Sequence, residues 1–138
     1  MRLVQFIILL FFITSCMAQP PMTSSVSDEL DCSEISASMQ LDDCVYKAMM
    51  TSNTDLMNEL ARFEVRAASV YEADPALGKE LIDVVRQAQD AWVSFRDTNC
   101  RVDAFEVEEG TPAYITTMNN CIIRMNAVRI EELKRLLN

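Results

Sequence analysis

Cys100 and Cys121 stand 10 and 11 residues either side of Gly110, each in a segment of strongly helical composition. Two antiparallel helices folded at the Gly110-Thr111-Pro112 turn would bring the two thiols to the same level, which is the geometry a disulfide needs. Upstream of Cys100 runs Gln89-x-x-Trp92-x-x-x-Arg96-Asp97, and downstream of Cys121 come Arg129 and Leu133. Gln89, Trp92, Arg96 and Asn99 fall at i, i+3, i+7 and i+10, so they share one helical face. Trp92 is expected to be core, its ring burying a large apolar area. Arg96 is expected to be a structural fork, capping carbonyls of the 101–112 loop or pairing with a carboxylate, in preference to a binding role. Arg129 has the same two readings.

Catalysis is poorly served by these residues. The chain has no histidine, so it has no imidazole base and no conventional Ser/His or Cys/His nucleophile. Glu106, Glu108 and Glu109, with Asp103, form a charged loop with nothing to set one carboxyl pKa apart from another, as acid/base work requires. Glycine-rich phosphate loops are excluded by a glycine count of 2. A metal centre would lack both histidine and any C-x-x-C spacing. The chain is therefore expected to be non-enzymatic and to use no cofactor.

The remaining cysteines define a compartment. Residues 3–13 are an apolar run broken only by Gln5, preceded by Arg2 and too short to span a bilayer, as in an export signal. The run ends in Ile13-Thr14-Ser15-Cys16, which resembles the bacterial lipobox, so residues 1–15 are expected to be cleaved and Cys16 acylated. Ordinary cleavage after Ala18 is the alternative. Residues 16–30 then form an anchor and a polar tether containing Gln19-Pro20-Pro21. Cys32, Cys44, Cys100 and Cys121 remain, an even number that reads as two disulfides in an exported chain. Of the three pairings open to them, 32–44 and 100–121 are expected. The protein is thus expected in the periplasm or outer membrane, held to a membrane only by lipid.

Residues 31–138 are long enough for one domain with one core. Few glycines and prolines among many Ala, Leu, Met, Glu and Asp predict a small all-α, disulfide-stapled bundle of about four helices. The first begins near residues 31–36 and runs to about residue 50. Twelve helical residues rise about 18 Å, far beyond the ~5.5 Å of a disulfide, so Cys32 must fold back over the helix bearing Cys44. Residues 51–53 offer a cap or kink. A second helix follows to Tyr71, with Leu56, Leu60, Phe63, Ala67 and Val70 as its stripe. Asp74-Pro75 restarts the chain as N-cap and first helical residue. Leu77, Leu81, Val84 or Val85, Ala88, Trp92 and Phe95 form the third stripe. Thr111-Pro112 repeats that cap for the last helix, whose stripe is Tyr114, Met118, Cys121, Met125 and Val128, extended by Leu133, Leu136 and Leu137. Met39, Met49, Met50, Met57, Met118 and Met125 are expected to fill core gaps, with a copper- or partner-binding surface as the alternative.

Net charge is −9 and becomes −10 if Arg2, the only charge before Cys16, is lost with the signal. Such a chain repels nucleic acid and suits a basic protein partner.

Taken together, Cys32 and Cys44, Gln89-x-x-Trp92-x-x-x-Arg96-Asp97-x-x-Cys100, the Gly110-Thr111 turn, and Cys121-x7-Arg129-x3-Leu133 resemble the LprI-like lysozyme inhibitor domain of exported bacterial proteins. The resemblance covers roughly residues 32–134. Departures are Glu109 in place of a first turn glycine, Asn126 where threonine is common, and no tyrosine three residues after Asn58. The resemblance implies an all-helical, disulfide-bonded exported domain and a lysozyme as the basic partner. The competing reading is a structural or accessory envelope lipoprotein with a different partner.

Overall fold

The structure, a computed structural model, describes residues 32–137. The signal at residues 1–15, acylation at Cys16 and the tether to residue 30 lie outside the described residues. Three helices follow one another: α1 (Ser38–Val70), α2 (Pro75–Asp103) and α3 (Pro112–Arg135). The chain is all-α as expected, but it has three helices, not four. The expected break at residues 51–53 is absent because Ser52 Oγ donates to the Met49 carbonyl and Thr54 Oγ1 to the Met50 carbonyl. Those hydroxyls bond back into their own helix instead of capping a new one. With no glycine or proline between Ser38 and Val70, nothing else interrupts it.

Both restart signals act as caps. The Asp74 side chain accepts from Leu77 N and the Thr111 hydroxyl from Tyr114 N, each followed by proline at the first helical position. Gly110 takes φ +82°, the left-handed conformation that a side chain resists, and so turns the chain between α2 and α3. Short connections make α1 and α2 antiparallel, and likewise α2 and α3. α1 and α3 then run parallel and share the most extensive packing.

The core lies between Leu56, Phe63 and Ala67 of α1, Val85 of α2 and Leu133 of α3, with Trp92 and Ile130 partly buried against it. Phe63 is 1% exposed, and burial of a side chain that size contributes about 1.5–3 kcal/mol. Gly78 lets α2 approach α1, since a Cβ there would sit 2.9 Å from the Tyr71 Cβ. At the opposite end, disulfides join Cys32 to Cys44 and Cys100 to Cys121, with Cα separations of 6.0 and 5.5 Å. Cys32 precedes α1 and turns back onto it.

Several stripes differ from expectation. On α2 the inward side chains are Gly78, Val85, Gln89, Arg96 and Cys100, while Leu77, Val84, Ala88 and Phe95 are exposed. Polar Gln89 and Arg96 occupy the buried face because α1 and α3 supply partners for them. Trp92 is half-buried, since α2 presents it at the edge of the seam. Val70 and Val128 are exposed. Met39, Met50 and Met57 are exposed as well, because they lie on the outer face of α1, so core filling does not describe them. Among the described residues, no helix is long and apolar enough to cross a membrane.

Candidate functional site

The motif residues converge on a polar cluster that joins all three helices. Arg96 is 8% exposed. Its Nη1 donates to Asn126 Oδ1 at 2.8 Å and to Asn53 Oδ1 at 3.1 Å, and its Nε donates to Asp97 Oδ1 at 2.9 Å. The carboxylate partner was expected; the loop carbonyls are replaced by two asparagines, which face Arg96 from α1 and α3. Asn126 Nδ2 donates in turn to Ser52 Oγ and Asn53 Oδ1. Arg129 donates to Gln89 Oε1 at 3.0 Å and Glu132 Oε2 at 2.9 Å. Trp92 lies between the two cations, its ring centroid 5.6 Å from the Arg96 guanidinium carbon and 5.7 Å from that of Arg129. Such cation–ring contacts contribute about 0.5–2 kcal/mol each, more as water is excluded. Leu133 is fully buried, and its carbonyl accepts from Arg66 Nη2. The cluster's donors and acceptors are thus spent on one another, which fits a fastening between helices better than a binding surface.

A second charged group was not visible in the motif. Glu59 is 2% exposed, its Oε2 accepting from Arg62 Nε at 2.8 Å. Arg66 Nη2 lies 3.1 Å from Glu59 Oε1, an ion-pair contact whose angle falls short of a hydrogen bond. Burial pushes the Glu59 carboxyl up, but the Arg62 hydrogen bond and the close positive charges of Arg62 and Arg66 outweigh it and hold the group below the usual carboxylate range. Its only sequence signal is spacing: Leu56, Glu59, Phe63 and Ala67 share the buried face.

The acidic loop is at the other end of the α2–α3 hairpin. Asp103, Glu106, Glu108 and Glu109 are all exposed. Asp103 is paired with Arg124 of α3, so its charge is partly answered within the fold. Glu106, Glu108 and Glu109 have no ion-pair partner among the described residues. The Glu108 carbonyl accepts from the Thr111 backbone and side chain, and Val107 N donates to the Ala104 carbonyl, so the loop's backbone is tied down while its carboxylates point into solvent. Ala104, fully buried, and the Cys100–Cys121 bond anchor its base. Such an arrangement presents fixed negative charge to a cationic surface.

The family model described as lysozyme inhibitor LprI matches residues 31–133. An uncharacterized protein of Rhizobium meliloti (strain 1021) is 26% identical over 115 residues, covering 79% of this chain and 80% of its own length. No solved structure matches.

Proposed function

This chain belongs to the LprI lysozyme inhibitor family, and from that premise we propose that it is a non-catalytic, extracytoplasmic binder of a basic lysozyme-type cell-wall hydrolase. The observation that carries the reading is the rigidly based loop with Glu106, Glu108 and Glu109 exposed and unpaired among the described residues. Loops displayed on a stiff scaffold are where binding residues concentrate. A lysozyme's basic surface would meet this acidic edge, and charge there would chiefly accelerate association. Two disulfides support a location outside the cytoplasm, where they persist. Acylation at Cys16 would hold the domain at a membrane surface.

The test is association with lysozyme across ionic strength, together with a muramidase assay. Changing Glu106, Glu108 and Glu109 together to Gln is expected to slow association several-fold at low salt and to flatten its salt dependence, with dissociation little changed. If the unaltered protein neither binds nor inhibits lysozyme at low salt, the accessory envelope lipoprotein takes the inhibitor's place.

A further inference from the structure

Along the outer face of α2, Leu77, Val84, Ala88, Ala91, Phe95 and Val102 recur at intervals of 7, 4, 3, 4 and 7 residues. That is the spacing of a two-helix seam, in which every a or d position faces a partner. Among the described residues, no element covers this seam. Leu77 is 47% exposed, Val84 56%, Phe95 59% and Val102 69%, and both alanines are exposed. A strip of about 38 Å with that pattern is not the residue of packing against α1 or α3, since it lies roughly 110° around the helix from the buried line of Gly78, Val85, Gln89, Arg96 and Cys100.

We infer that the outer face of α2 is the interface for a second copy of this chain, with the two α2 helices antiparallel. One register makes the strip complementary to itself: Leu77 lies against Val102 of the other copy, Val84 against Phe95, and Ala88 against Ala91. Large side chains face smaller ones toward both ends, and the alanines at the centre let the backbones draw close. Beside the seam, the same register brings Glu80 to Arg101 of the other copy, twice by symmetry. Both side chains are exposed and neither has an ion-pair partner among the described residues. An isologous two-fold contact requires this self-complementarity. Phe105, 85% exposed just past the helix, continues the strip, so a second copy would cover apolar side chains along the whole length of α2. The seam carries one acid and one base, so it does not favour a strongly cationic partner as the 103–109 loop does. The net negative charge of each copy is screened over about 8 Å at physiological salt. This inference stands independently of the lysozyme reading.

Two tagged full-length copies, one carrying Leu77→Cys and the other Val102→Cys, are co-expressed and treated in intact cells with a short bismaleimide linker. A cross-linked pair is expected from the mixed copies, with little from two Leu77→Cys copies. Adding Glu80→Arg to both is expected to lower the cross-linked fraction at least fivefold, and adding Arg101→Glu as well to restore it. Phe95→Glu, on an exposed side chain, is expected to abolish the cross-link while circular dichroism stays helical. Absence of the 77–102 link, an equal 77–77 link, or a link indifferent to the charge reversals or to Phe95→Glu overturns the proposal. An inhibited or bound lysozyme in the same cells has no bearing on either result.

Discussion

Asn126 is completely buried, and both ends of its amide are engaged by other helices. Asn126→Ala therefore strips an acceptor from Arg96 and a donor from Ser52 and Asn53 at once. The expected loss is about 2–3 kcal/mol, since buried groups left unpaired lose their solvation without compensation. Chemical denaturation would show it as a lower midpoint at unchanged slope. Glu59 gives a pH test. Its folded pKa is depressed below 4.5, so the stabilisation it contributes is fully present above that value and is lost as pH falls through the folded pKa. Glu59→Gln should destabilise the protein by about 1–3 kcal/mol near neutrality, because the charge-assisted contacts to Arg62 and Arg66 are lost although both arginines keep access to solvent. The gap from the unaltered protein should narrow below about pH 4.5 in thermal melts. Sequence made the arginines and Trp92 conspicuous, showed Asn126 only as a departure from the family pattern, and left Glu59 marked by nothing but its spacing. A buried Asn or Glu has the same letter as an exposed one, and only the partners on other helices distinguish them.

Among the elements, the caps were legible because their chemistry is local. Asp74-Pro75 and Thr111-Pro112 each need only residues three positions ahead. The division of residues 38–70 into two helices was misread for a related reason: Ser52 and Thr54 can cap or bond back, and the choice depends on Asn126 reaching Ser52 from α3. The α2 stripe was misassigned because apolar periodicity locates a face without saying what it faces. Gly110→Ala tests the turn. At φ +82° a Cβ is strained although no atom crowds it, so a loss of about 1–2 kcal/mol is expected, read as a lower melting temperature. Gly78→Ala gains roughly 1 kcal/mol of helix propensity but presses on the Tyr71 Cβ, which belongs to the opposing helix's end. Overpacking of about 1–3 kcal/mol should make the net change a loss.

At the level of the whole molecule, the stapling of α2 to α3 sets how firmly the acidic loop is held. Replacing Cys100 and Cys121 by Ser removes a bond closing a loop with sequence separation 21, and a cost of about 3 kcal/mol is expected from the greater freedom of the unfolded chain. Denaturation of the double variant beside the unaltered protein measures it. The family was legible in the spacing of cysteines, Trp92 and the arginines, which the match over residues 31–133 supports. The partner was less so. Affinity belongs to two surfaces, and a carboxylate cluster such as Glu106, Glu108 and Glu109 describes only one of them.

The chain contains a single tryptophan, and it stands between a guanidinium of its own helix and one from α3. Its emission is therefore a built-in optical gauge of one junction. Any event that parts α3 from α2 removes the Arg129 cation from the ring and admits water to a half-buried indole. Fluorescence should then change before helical ellipticity does if the α2–α3 seam opens first, and in step with it if the three helices come apart together. Arg129→Gln would keep the fold's outline while altering the starting spectrum, which would tie the signal to that contact.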